Sequence, residues 1–269
     1  MYPRNPDQMR WAVLTCLDVH KPNDTVLFES WKNFDLPNDI HTHCFVKCVL
    51  MHSRIYPIHW ARVNKTAVED QFKGRGIEVP TGVQDLEKII AGTCKDIYDE
   101  VINVFKNNLE AFKKAFYFYE DDIREWYNQN PDVARPFGAD LREYCKKKNK
   151  DDEKCELDCR FYYYRLVDED KKIYWGRFLQ TPGIKMDEHS KCLFKAKTAK
   201  ECDVAVTLDQ CLREKNQTAW EQMQKNLDEI TNKDYDYGNS LEAPERNFIS
   251  SIERCLMLDP DEALHIPVS

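Results

Sequence analysis

Apolar residues recur along most of this chain at steps of three, four or seven. In the longest run, Asp96 to Gln129, they fall at Ile97, Val101, Phe105, Phe112, Phe116, Tyr119, Ile123 and Trp126. That is the spacing of one helix face, or of two consecutive helices. Start and stop signals mark further helices. Asn5-Pro6-Asp7 offers an N-cap and a first-turn proline ahead of Met9, Ala12, Val13, Cys16 and Leu17. A short helix bearing Val26, Leu27 and Trp31 follows Asn23-Asp24, and Pro37-Asn38-Asp39 restarts the chain into Ile40 to Met51. Asn64 caps a helix with Val68 and Phe72, which Gly74-Arg-Gly76 ends, and Val83 to Ile90 reads as another short helix leading to Cys94.

Pro131 and Pro136-Phe-Gly138 break the pattern. Beyond them Leu141 to Cys145, Cys155 to Val167, Asp187 to Lys197, Ala199 to Glu214 and Thr218 to Thr231 are predicted helices, with a turn at Thr181-Pro-Gly183. A polar loop spans 232–243, Pro244 to Met257 is expected to form a last helix, and the tail after Asp259-Pro260 is expected to fray. The fold class that follows is all-α, in two domains, 1–137 and 138–269.

Composition supports a folded helical chain: 42% apolar and 32% charged residues, with only eight glycines in 269 positions. A net charge of −8 leaves no nucleic-acid footprint; one basic run, Lys146, Lys147, Lys148 and Lys150, reads as a solvated linker or an anion-attracting rim. No apolar run approaches the ~18 residues of a membrane span. The start, Met1-Tyr2-Pro3-Arg4, has no apolar segment behind it, so the expectation is a mature secreted chain whose leader has been removed. Eleven cysteines and the Asn-x-Thr triplets at Asn23, Asn64 and Asn216 fit that route. The expected state is a monomer without cofactor.

No nucleophile elbow, phosphate loop, dinucleotide fingerprint or zinc-protease motif occurs, so the chain is not expected to be an enzyme. His41-x-His43-Cys44-x3-Cys48 has zinc-ligand types, but two histidines two apart do not converge with the cysteines on one helix face, and no metal is expected.

The cysteines carry a resemblance. Cys145, Cys155-x3-Cys159, Cys192 and Cys202-x8-Cys211 match the cysteine framework of insect odorant-binding proteins, and Cys16, Cys44-x3-Cys48 and Cys94 repeat it in reduced form. The resemblance implies the pairs Cys16–Cys48, Cys44–Cys94, Cys145–Cys159, Cys155–Cys202 and Cys192–Cys211, leaving Cys255 over. It sharpens at Trp31-Lys-Asn-Phe-Asp-Leu-Pro37, Thr42 to Leu50, Gly92 to Asp99, Glu143-Tyr-Cys145 and Tyr163 to Asp170. These stretches resemble the long-form D-seven salivary proteins of blood-feeding flies, the sand-fly members above all.

That resemblance implies a secreted, non-enzymatic carrier that sequesters host eicosanoids in its first domain, chiefly cysteinyl leukotrienes and also thromboxane A2, and so opposes inflammation, vasoconstriction and haemostasis. Lipid-binding candidates by similarity are Trp31, Phe45, His52, Tyr56, Phe105, Phe116 and Trp126, with Lys113, Lys114 or Arg124 to meet a carboxylate. Biogenic amines such as serotonin or histamine fit less well. Glu156 stands where amine-binding members carry histidine, and their later acidic pair reads Asn226 or Asp228 with Glu229. A nucleotide (ADP or ATP) held by the lysine run, or a protein-interaction inhibitor with no small ligand, are the other readings.

Overall fold

The computed structural model describes residues 3–57, 61–86, 92–130, 135, 139–150, 152–174, 178–179, 181–233 and 248–249. They form two compact units, the first within Met1–Gln129 and the second within Asn130–Tyr237 and Ala243–Ser250. Both are built of helices.

The first unit runs α1 (Pro6–His20), α2 (Thr25–Lys32), α3 (Ile40–His52), α4 (Lys65–Gly74), a 3-10 turn at Val83–Asp85, α5 (Cys94–Asn107), α6 (Leu109–Ala115) and α7 (Glu120–Gln129). Side chains of the predicted types start these helices. Asn5 accepts from the Gln8 amide at 2.9 Å while Gln8 Oε1 accepts from the Asn5 amide at 3.1 Å, a reciprocal cap behind Pro6. Asp24, Asp39, Asn64 and Thr93 cap α2, α3, α4 and α5.

Helix α3 is tied on two sides. Cys44 and Cys48, one turn apart, bond to Cys94 at the start of α5 and to Cys16 of α1. Val46 of α3 packs with Tyr98 and Ile102 of α5, all three under 9% exposed. The Lys47 ammonium is buried and donates to the Gly92 carbonyl at 2.5 Å.

The second unit contains α8 (Leu141–Asn149), α9 (Glu153–Tyr163), β1 (Phe178–Leu179), α10 (Met186–Lys197), α11 (Asp203–Lys233) and β2 (Phe248–Ile249). Its bridges are Cys145–Cys159, Cys155–Cys202 and Cys192–Cys211. Trp220, Phe161, Tyr164, Leu208 and Leu141 form its fully buried centre.

Four local expectations change. The 96–129 run divides into three helices. Asn108 turns its amide onto the Val104 carbonyl at 2.9 Å, satisfying a helix-end group and stopping α5. Tyr117 adopts a left-handed backbone (φ 60°) and stops α6. At 83–90 the described residues form only the short turn; 87–90 lie outside them. Helix α9 ends at Tyr163, because Arg165 takes a left-handed backbone (φ 61°) and the Leu166 amide returns to the Phe161 carbonyl at 2.9 Å; beyond it Asp168 accepts from the Asp170 and Lys172 amides and Val167 bridges to Ile173. Phe248–Ile249 pair antiparallel with Phe178–Leu179 where helix was expected, and the rest of 244–257 lies outside the described residues. Conversely, the expected break near 215 is present inside α11, where Asn216 (φ −159°, ψ 96°) interrupts the helix and re-caps it through Ala219.

Candidate functional site

The first unit holds an apolar cavity of about 130 Å³. Helix α1 contributes Met9 and Val13, and α2 with the residues after it contributes Trp31, Phe34 and Leu36. Helix α3 supplies Phe45, Val46, Val49 and Leu50, and α5 supplies Val101, Ile102, Val104 and Phe105. Phe112, Phe116 and Phe118 close it from α6 and its end, with Ser53, Ile55, Val63, Val68 and Leu86 completing the wall. Among the described residues of the lining, only Ser53 has a polar side chain, and its hydroxyl donates to the Leu50 carbonyl at 3.2 Å. A void of this size with such walls holds no favourable place for water, which needs two to four polar partners. It offers apolar contact instead.

Its aromatic wall is fixed by specific contacts. Trp31 is fully buried, stacks on Phe45 with ring centres 4.4 Å apart, and donates its indole N–H to Thr42 Oγ1 at 2.8 Å. Thr42 in turn donates to Asp39, the cap of α3. Phe112 stacks on Phe116 (5.8 Å) and meets Phe105 (5.5 Å) and Phe72 (5.0 Å) edge-on.

One end of the cavity differs. Phe34 and Phe118 meet edge to face at 4.9 Å, and Lys113 Nζ lies 5.2 Å over Phe34 and 4.5 Å over Tyr119. Lys113 also pairs with Glu110 at 3.4 Å. Partial burial works against its charge, but Tyr119 and Glu110 outweigh that and raise its pKa above the ordinary lysine value. Phe34 itself has φ 58°. A bulky side chain in the left-handed region is uncommon and strained. Both segments at this end, Phe34 and Tyr117–Phe118, carry such a residue.

The sequence-predicted residues divide accordingly. Trp31, Phe45, Phe105 and Phe116 line the cavity. Lys113 sits against its Phe34 edge, and Lys114 is exposed on the same helix. His52, Tyr56, Arg124 and Trp126 are not part of the lining. His52 packs edge-on against Trp11 at 5.3 Å beside the Cys16–Cys48 bridge, and Tyr56 is buried. Arg124 pairs with Glu120 on the surface, and Trp126 packs against Tyr127 at 5.3 Å. Sequence reasoning missed Phe34, Val49, Leu50, Phe112 and Phe118. Phe112 belongs to the periodic run, but its direction depends on the break at Asn108, which periodicity does not reveal.

In the second unit the carboxylates nearest an amine role are already engaged. Asp228 is 8% exposed and accepts from Tyr164 at 2.5 Å, Arg142 at 2.5 Å and Arg160 at 3.5 Å. Asp209 accepts from Trp220 and Gln224, both at 2.8 Å, and pairs with Arg213 at 2.7 Å. Asn226 and Glu229 are exposed, as are Lys146, Lys147, Lys148 and Lys150. Cys16, Cys48 and His52 have ligand atoms within 4.8 Å of one another, but both sulfurs are spent in one disulfide. Among the described residues no helix is long and apolar enough to cross a membrane.

No family model matches the chain. It is 34% identical over 236 residues to the long form salivary protein D7LC of Phlebotomus papatasi, covering 87% of this chain and 92% of that protein. The D7 protein from Phlebotomus duboscqi superposes with a TM-score of 0.68 at 34% identity, over 85% of this chain and 98% of that one. More distant solved structures share the fold: AnSt-D7L1 in complex with U46619 (TM-score 0.67, 18% identity, 91% of this chain and 94% of that one) and AeD7 in complex with leukotriene E4 (0.62, 15%, 91% and 97%). The identity and near-complete coverage of the sand-fly relatives show that this chain belongs to the long-form D7 salivary protein family.

Proposed function

We propose that the first unit is a carrier for an eicosanoid, a cysteinyl leukotriene or thromboxane A2, and that the protein is secreted in saliva to withdraw the mediator from its host receptors rather than to transform it. The observation that carries this reading is the apolar cavity walled by Trp31, Phe45, Phe105, Phe112 and Phe116. A hydrocarbon chain gains about 25 cal/mol per Å² of apolar surface that it buries there. The ligand's carboxylate belongs outside the apolar lining, and Lys113 at the Phe34–Phe118 edge is the cation with which it pairs. The ligands in the two distant D7 complexes, leukotriene E4 and the thromboxane analogue U46619, are of this chemistry.

Isothermal titration with leukotriene E4, U46619, serotonin and ADP tests the proposal. Binding of either lipid at one site per chain supports it; heat from serotonin or ADP alone overturns it. Lys113→Glu lowers leukotriene affinity by roughly tenfold or more, the worth of one charge-assisted contact. Equal affinity of wild type and variant removes Lys113 from the site.

A further inference from the structure

We propose that Asn23 carries an N-linked glycan and that Asn64 and Asn216 do not. The fold treats the three Asn-x-Thr triplets differently. Asn23, Asp24 and Thr25 are all exposed, in the turn between α1 and α2. Asp24 alone caps α2, accepting from the Val26 and Leu27 amides at 2.8 and 3.2 Å, so the helix start draws nothing from Asn23.

The other two are built in. Asn64 is half-buried, its Oδ1 accepts from the Ala67 amide at 3.2 Å, and its own amide donates to Ile55 at 2.6 Å. Asn216 is half-buried at the kink of α11, with Oδ1 on the Ala219 amide at 3.1 Å. Its Nδ2, the atom a sugar would take, donates to the Gly183 carbonyl at 3.3 Å. A Cβ on Gly183 would stand only 2.8 Å from that nitrogen, so the Gly183 backbone lies close against the atom that would carry the sugar.

A second observation bears on Asn23. Val26 beside it is 77% exposed, an apolar side chain in water on an otherwise amphipathic helix. A first sugar on Asn23 brings a C–H face within reach of such a neighbour.

The chemistry is the ordinary transfer onto asparagine in the secretory lumen. Nδ2 loses one hydrogen and bonds the anomeric carbon of a lipid-linked oligosaccharide. The bond from that carbon to the pyrophosphate oxygen breaks, and the lipid pyrophosphate leaves with the electron pair. Transfer precedes folding, so the fold acts as a filter: a sugar on Asn216 Nδ2 must find a place beside the Gly183 backbone before the kink of α11 can form. The inference goes beyond ligand binding and requires only passage through the secretory route.

The test is secretion of the full chain from insect cells, enzymatic removal of glycans in heavy-oxygen water, and peptide mapping. An isotopic mark at Asn23, with Asn64 and Asn216 unmarked, is expected. Thr25→Ala, which keeps Asn23 and the Asp24 cap, loses the glycan mass; Thr218→Ala, which keeps both Asn216 hydrogen bonds, leaves the mass unchanged apart from the substitution. An unmarked Asn23, or a mark at Asn64 or Asn216, overturns the assignment.

Discussion

Acidification from pH 7 to pH 5 should destabilise the first unit more than the second. His20 and His52 lie at the C-terminal ends of α1 and α3, where burial holds both pKa values down, from 6.5 to about 4; for His20 the neighbouring His52 and His41 add to the effect. A histidine whose folded pKa is depressed contributes stability that is present above 6.5 and lost as pH falls toward the folded value, because only the unfolded chain takes up the proton. For a gap of that size the full loss is about 3.4 kcal/mol per residue, reached below pH 4, and about 2 kcal/mol of it has gone at pH 5. Both residues keep some contact with solvent, so screening trims the pair to about 3 kcal/mol at pH 5. That is a large share of a stability on the order of 5–15 kcal/mol.

The second unit is buffered. His189 is likewise lowered by burial to about 4, but burial raises Asp158 from 3.8 to about 6. The penalty for ionising Asp158 is full above pH 6 and is relieved as pH falls toward 3.8, which offsets most of what His189 loses. Urea titrations at pH 7 and pH 5, with fluorine-labelled tryptophans resolving Trp11 and Trp31 from Trp220, measure each unit. A first-unit change below about 1 kcal/mol, or an equal change in both units, refutes the reasoning. The His20→Asn/His52→Gln variant should flatten the first unit's pH dependence.

Three further outcomes follow from the same structure. Asp158→Asn should stabilise the second unit by about 1–2 kcal/mol at pH 7.5, with the gain vanishing below pH 4, as read by urea midpoint. Thr42→Val leaves the Trp31 indole N–H unpaired in a dry site and should cost about 1–3 kcal/mol, with a shifted Trp31 emission. Val49→Phe fills part of the cavity; the melting temperature should change by only a few degrees, while leukotriene affinity falls roughly tenfold by calorimetry.

The sequence made the helices legible because their signals are local. Asn5-Pro6, Asp24, Asp39 and Asn64 are caps, and each acts within one turn of its own position. The two-unit all-α class followed from the breakers at 131–138 and from cysteine spacing that matched a known framework. The cavity was half legible. Trp31, Phe45, Phe105 and Phe116 stood on recognisable motifs or on the long periodic run, but whether an apolar residue faces a void or a neighbour is decided by three-dimensional packing. His52 illustrates this: it lies on the same helix as Phe45, yet it turns toward Trp11 and the disulfide. The cavity role of Phe34 and Phe118 was not legible because it rests on left-handed backbone at Phe34 and Tyr117, bulky residues at positions that glycine or asparagine usually marks.

The two bridges leaving α3 bear on how fast a guest is exchanged. They fasten α1, α3 and α5 into one cross-linked frame, and those helices carry Met9, Val13, Val46, Val49, Leu50, Val101, Ile102 and Phe105 of the wall. A frame so fastened is restrained from parting. For the ligand proposed above, passage would then fall to the side without a bridge, where Phe34 meets Phe118 edge to face. For the carrier proposed above, a slow gate would lengthen residence without deepening the well.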